Sequence, residues 1–214
     1  MPEPGLELLR TLQRDAVDDT VAVSRLLRGA KVLAARLGYA PLENWVEREL
    51  NGYARDEDLP AYRILHGLES RGHFVGPFGS QLKNGLIPRD IFPTQELQSL
   101  LGKVDLFEGI AVYESLVRDA QAQGTSTLSH PWPDRMLRLT SSSIYENMNC
   151  LEAHHVLPVS TLVGLLDRVR TATLTFSLDV ERIDPEAAEA RAGSALMPDE
   201  DLAEIYKRML TKRL

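Results

Sequence analysis

Histidine and cysteine are the side chains best suited to move protons, bind metals or attack as nucleophiles, and this chain has five and one of them. His154 and His155 are adjacent. Neighbours on a strand point to opposite faces, so the pair is not built to chelate one ion; one ring is expected packed and the other wet. The His-x-x-x-His spacing that would set two imidazoles on one helix face is missing. His66, Glu69 and His73 form a set at i, i+3 and i+7. On a strand Glu69 and His73 share a side and His66 does not. Ser141, Ser142 and Ser143 offer three hydroxyls but lack the Gly-x-Ser-x-Gly elbow of a hydrolase nucleophile. Cys150 has no base beside it in sequence, and the default for a lone cysteine is a small buried hydrophobe. The glycines at 67, 72, 76 and 79 match neither a Walker loop nor a Gly-x-Gly-x-x-Gly turn, and read as turn residues.

Charged residues give a second set. Glu43 and Glu47 lie four apart, on one helix face, where a solvated surface is the simplest reading. Arg168 and Arg170, with Arg63, have the forked geometry that suits phosphate or carboxylate; structural ion pairs, with Asp167 in reach, are the plainer expectation. Glu49, Asn51, Tyr62 and Arg63 gather where a helical pattern gives way to a β-type one. Together with Arg170 they are the candidate ligand-binding residues, and a cleft there would suit a nucleotide or phosphate. No catalytic set is assigned, and no cofactor or metal is implied.

The elements that must position these residues follow from periodicity. Residues 5–18 and 20–37 carry apolar side chains at steps of three and four, as do 41–51 after Pro41. Asp19 or Thr20 is expected to cap the second helix, and Gly38 and Gly52 to stop the second and third. Residues 62–78 alternate with period two and predict a hairpin or meander. Helix is expected again from Thr94 and over 105–121. The uncharged, Gly/Ser/Thr-rich stretch 121–133 predicts a loop, and 134–139 a short helix. Residues 144–157 are ambiguous and are read as a strand completing the small sheet. Pro158-Val159-Ser160 is expected to start the longest helix, whose apolar seam runs through Leu162, Leu166, Val169, Thr173, Phe176, Val180 and Ile183. Residues 184–198 read as a linker, and 199–214 as a C-terminal amphipathic helix with a stripe of Leu202, Ile205, Tyr206 and Met209. The fold class is therefore α+β, mainly helical with a small antiparallel sheet or hairpin. Leu26, Leu33, Leu37, Trp45, Leu50, Ile64, Ile110, Leu166, Val169 and Phe176 are the expected core.

At 214 residues the chain has room for one domain, or one with an appendage. Its formal net charge of −7 disfavours a nucleic-acid binder. A single cysteine rules out an intrachain disulfide and a thiolate zinc cage. No uncharged stretch is long enough to span a membrane, and no basic, then apolar, leader opens the sequence. The expected compartment is the cytoplasm.

Several segments together resemble the AbiTii domain, a family associated with bacterial abortive-infection defence against phage. They are Gly29-Ala30-Lys31-Val32-Leu33-Ala34 with Leu37-Gly38, then Trp45, Glu47 and Glu49-Leu50-Asn51-Gly52-Tyr53. Leu59-Pro60-Ala61-Tyr62-Arg63, Gly76-Pro77-Phe78-Gly79, Leu86-Ile87-Pro88 with Phe92-Pro93, and the 160–170 helix ending Leu166-Asp167-Arg168-Val169-Arg170 complete the match. The resemblance covers residues 6–183, and residues 1–183 are read as the AbiTii-like domain. It implies a component of a phage-response system, with no catalytic set to carry over. The expectation drawn here is a non-enzymatic interaction, oligomerisation or effector-associated module. Its partners would be further copies of the chain, a defence effector protein, or both, with room for a phage-derived trigger; no membrane is expected and nucleic acid is not favoured. In that reading Leu202, Ile205, Tyr206 and Met209 form the interface. The alternative is a toxin or enzyme acting on nucleic acid or nucleotide through the cleft at Glu49–Arg63. A weaker third reading has a phage protein adding a strand to the hairpin edge.

Overall fold

The structure is a computed structural model that describes residues 6–89, 95, 98, 101–140, 144–185 and 197–211, with only the backbone of Leu6 and Leu139. Of the helix expected from Thr94, Gln95, Gln98 and Leu101 are described and are helical; the serine triplet 141–143 and linker positions 186–196 lie outside the described residues. The chain divides into two compact units: Met1–Pro60, Phe107–Arg118 and Val163–Leu214 form one, Ala61–Leu106 and Asp119–Leu162 the other. The class is α+β, with seven α-helices and antiparallel sheets of two and four strands among the described residues.

The first unit is helical. Its N-terminal part holds α1 (Leu6–Val17), α2 (Val23–Leu37) and α3 (Ala40–Asn51), with α2 packed on both neighbours. Leu26, Ala30, Leu33 and Leu37 keep one face of α2 in the core, as their spacing requires. Gly38 stops the helix in the left-handed region (φ 66°), its N–H donating to Ala34 O at 3.0 Å. The start of α2 differs from expectation. Its N-cap is Ala22, which has no side-chain oxygen, while Asp18 accepts the Thr20 N–H and hydroxyl instead. The orphan N–H groups of Val23 and Ser24 donate to the carboxylate of Glu114, on α4 (Ile110–Ala122). A carboxylate there also meets the positive end of the helix dipole.

Gly52 ends α3 at φ 96°, and a Cβ there would stand 2.7 Å from Phe107 O. That vacancy lets the chains meet closely enough for Tyr53 N–H to reach Phe107 O at 2.8 Å. The unit is completed by α6 (Val159–Ile183), from Val163 onward, and α7 (Asp199–Thr211). Along α6 Val169, Ala172, Thr173, Phe176 and Val180 are buried. Thr173 and Ser177 go into the interior because each hydroxyl donates back to a carbonyl of its own helix, at 3.0 and 2.8 Å. Of the expected core, Leu26, Leu33, Leu37, Trp45, Ile110, Val169 and Phe176 are buried, whereas Leu50, Ile64 and Leu166 are only half-buried. At the seam's end Ile183 is exposed.

The second unit is built on a sheet in the order β3-β2-β6-β5, with β2 (Glu69–Val75), β3 (Gln81–Ile87), β5 (Thr127–Pro131) and β6 (Asn149–Pro158), all antiparallel. A separate two-residue pair joins β1 (Ile64–Leu65) to β4 (Val104–Asp105). The expected hairpin is thus half of a larger sheet. The stretch 121–133 is no simple loop, since it contains β5, and Asp105 lies in β4 rather than in the helix that starts at Ile110. The core of this unit gathers Phe74, Ile87, Leu101, Trp132, Ile144, Cys150 and Ala153, with α5 (Asp134–Thr140) against β6. Gly72 is not a turn residue but the centre of β2. A Cβ there would sit 2.8 Å from Glu152 O and 2.9 Å from Cys150 Sγ, so glycine is what lets β6 lie so close. Among the described residues, no helix is long and apolar enough to cross a membrane.

Candidate functional site

The candidate ligand residues are mostly committed elsewhere. Glu49 is fully buried in the first unit and accepts the Tyr53 hydroxyl at 2.7 Å. Asn51 is exposed, its amide donating to Glu47, which also takes Lys31. In the second unit Tyr62 is half-buried, in a 3₁₀ turn spanning Ala61–Arg63. Arg63 is fully buried and donates from Nη1 to Leu106 O at 2.8 Å. Neither Glu49 nor Arg63 offers its head group to solvent. Arg170 spends its guanidinium on backbone carbonyls, donating to Asp15 O at 3.1 Å, Asp18 O at 3.0 Å and Val21 O at 2.5 Å. Arg168 does the same for Met209 O and Leu210 O, at 3.1 and 2.8 Å. These two arginines therefore satisfy the carbonyl ends of α1 and α7, where the helix dipole favours a cation. The C-terminal stripe is inside its own chain: Leu202, Ile205 and Met209 are at most 1% exposed. Tyr206 is half-buried, edge-on to Tyr39 with ring centres 5.9 Å apart.

The sheet of the second unit carries a different constellation. On β2, Ser70, Gly72 and Phe74 face the core, and Glu69, Arg71 and His73 take the other side. Glu69 and His73 share a face as their spacing predicts, with His66 outside the strand. On β6 the alternation slips by one at Leu151, so Cys150 and Ala153 point inward with Leu151 and Glu152 exposed between them. Beyond that slip His154 turns outward, half-buried, while His155 is buried at 2% exposure. The expected division into one packed and one wet histidine is what the strand produces. Register then sets Arg71 opposite His154 and His73 opposite Glu152.

His73 is the centre of this face. Both ladders of β2 are interrupted beside it, on the β3 side between Gly72 and Phe74 and on the β6 side between His73 and Phe74. In β3 the slip leaves Lys83 and Asn84 without register partners, and Asn84 adopts φ 55°. Bulges re-aim side chains and recur next to functional sites. Here two of them bracket a groove of about 250 Å³ lined by Gly72, His73, Lys83, Asn84, Glu152 and His154. His73 Nδ1 lies 4.0 Å from Glu152 Oε1, and its Nε2 is buried with no hydrogen-bond partner among the described residues. Arg71 is held by Glu69 at 2.6 Å and donates to Asn84 O at 3.1 Å. Lys83 is exposed, with no carboxylate within ion-pair distance among the described residues. Among those same residues no three His, Cys, Asp or Glu side chains converge as metal ligands. Sequence spacing pointed to Glu69 and His73 but not to their partners on β6, about 80 residues away, because register is a long-range property. Asn84-Gly85, a dipeptide that signals a hairpin turn, marks a bulge instead.

Behind the groove, the core face of the sheet holds Ser70 Oγ 3.0 Å from His155 Nδ1, and Trp132 Nε1–H donates to Ser70 Oγ at 3.3 Å. Ser70 is 5% exposed, so this serine–histidine contact is packing rather than a nucleophile facing substrate. Burial likewise pushes the Cys150 thiol up, away from the reactive thiolate.

No curated protein and no solved structure matches this chain. The AbiTii profile matches residues 7–201, taking in both units and the first turn of α7. With nearly the whole sequence covered, the chain belongs to the AbiTii family, whose name ties it to abortive-infection defence against phage.

Proposed function

We propose that this chain serves phage defence as a non-enzymatic interaction module, docking a defence effector or a further copy of itself from the cytoplasm. The observation that carries this reading is Phe78, at the tip of the β2–β3 hairpin. Its ring is fully exposed and its backbone sits at φ 57°, ψ 24°. A left-handed backbone costs a non-glycine residue roughly 1–2 kcal/mol. Leaving an aromatic ring in water forgoes roughly 1.5–3 kcal/mol that burial would return. A partner pocket that takes the ring recovers the second term, and the strained turn holds the ring out in advance, so little ordering is left for docking. Gly76-Pro77-Phe78-Gly79 is also one of the segments on which the AbiTii resemblance rests.

The test is Phe78→Ser. The ring touches no core, so the variant should keep its melting temperature and far-UV circular dichroism while losing protection in a phage plaque assay. Retained protection in the folded variant would defeat this reading. Light scattering on both proteins separates the partners: a mass that falls on substitution identifies a second copy, and an unchanged mass an effector.

A further inference from the structure

We propose that the groove centred on His73 binds the phosphate of a hydroxyl-bearing phosphate ester, a sugar phosphate or nucleoside monophosphate. This assignment is independent of docking through Phe78. It stands on four coincident features. Two bulges and one positive-φ asparagine converge on the groove, and such local irregularity is retained where a site over-determines it. The groove holds an ammonium, Lys83, with no carboxylate within ion-pair distance among the described residues. It presents donors from three strands: Lys83 and the Asn84 amide on β3, His73 on β2 and His154 on β6. The His73 side chain is 26% exposed, and its Nε2, covered and without a partner among the described residues, would lose the cost of being unpaired if a small turn of the ring brought it to a ligand oxygen.

The ligand class follows from that donor set. A cation is disfavoured by Lys83 and by the lack of three converging His, Cys, Asp or Glu ligands among the described residues. A tetrahedral anion with three free oxygens suits donors that approach from three strands better than a planar carboxylate does. Gly72 faces the core, so it presents only backbone to the groove between His73 and Lys83. Glu152 would repel a phosphate placed beside it, but its side chain is 78% exposed and its charge is screened by solvent. It fits as the acceptor for a hydroxyl on the group that carries the phosphate. A groove of about 250 Å³ suits a small molecule of that kind rather than a polymer.

The five imidazoles are built-in reporters. Their ring C–H signals, assigned by single His→Gln variants, are followed by NMR while ribose 5-phosphate is added to the full chain into the millimolar range. The expected result is a saturable shift of the His73 and His154 signals, with His66 unmoved and buried His155 reporting an intact fold. Lys83→Gln, an exposed change, should weaken the dissociation constant about fivefold or more. Glu152→Ala should weaken ribose 5-phosphate relative to inorganic phosphate, whose own binding should hold or tighten as the carboxylate's repulsion is removed. Adenosine monophosphate in place of ribose 5-phosphate distinguishes the two sources: tighter binding identifies a nucleotide, equal binding a sugar phosphate. No saturable shift, an equal shift with chloride at matched ionic strength, or full binding by Lys83→Gln would each overturn the assignment. The assay uses purified chain and no phage, so its failure is distinct from a failure of docking through Phe78.

Discussion

His155 shows how a titratable residue can be turned from chemistry to packing. The Trp132 indole can only donate, so Ser70 Oγ accepts from it and directs its own proton to His155 Nδ1. That arrangement assigns the imidazole proton to Nε2 and the ring to its neutral form. Burial, with His130 and His154 nearby, lowers the pKa of His155 to about 4 from 6.5. Between those values the unfolded chain binds the proton and the folded chain does not. Stability from this residue is therefore complete above about pH 6.5 and is lost as pH falls towards 4, by about 3 kcal/mol. Urea unfolding at pH 7, 5 and 4 should show the loss. A His155→Gln variant, less stable at pH 7, should lose less on acidification than the parent; an equal loss would place the sensitivity elsewhere. The opposite facing of His154 and His155 was legible from adjacency alone. The Ser70–His155–Trp132 chain was not, because Ser70 lies 85 residues from His155 and 62 from Trp132, and the three meet only through the pairing of β6 with β2 on one side and β5 on the other.

At the scale of elements, the helices were the legible part. Steps of three and four set the buried faces of α2 and α6, and the end of α2 at Gly38 follows from the one residue that enters the left-handed region freely. What the pattern hid was who satisfies the other helix ends. The start of α2 is closed by Glu114, from another helix, and the ends of α1 and α7 by Arg170 and Arg168, two residues apart on α6. Arg170→Gln should lower stability by about 2 kcal/mol, seen as a lower urea midpoint, since it strands carbonyls of Asp15, Asp18 and Val21. Arg170→Lys should recover only part of this, because an ammonium lacks the fork that spans three carbonyls. The neighbouring exposed Asp167→Ala should stay within about 0.5 kcal/mol; a loss there equal to that of Arg170→Gln would refute the capping role. β5 escaped reading for a different reason. It is an edge strand of Thr, Leu, Ser, His and Pro, exposed along most of its length, so no apolar alternation separates it from a loop.

For the whole molecule, the deciding question is what α7 does. Its stripe reads from sequence as surplus apolar surface able to join copies of the chain. The structure fills that stripe from within: Leu202, Ile205 and Met209 are buried, Tyr206 meets Tyr39, Arg208 pairs with Asp179 at 3.3 Å, and Arg168 closes the helix end. Periodicity identifies an apolar face but carries no information about which surface covers it, and the covering residues lie as far away as Tyr39. Replacing a buried Leu, Ile or Met with a small side chain costs about 2–5 kcal/mol per site. Three such losses rival the roughly 5–15 kcal/mol that holds a typical domain folded. The triple variant Leu202→Ser/Ile205→Ser/Met209→Ser, and a chain ending at residue 198, should therefore lose cooperative melting by circular dichroism rather than yield a folded protein of lower mass. A truncated chain that melts cooperatively and scatters light as a smaller particle would mean the opposite: that α7 is exchanged between copies, and that the stripe is the assembly surface its sequence suggests.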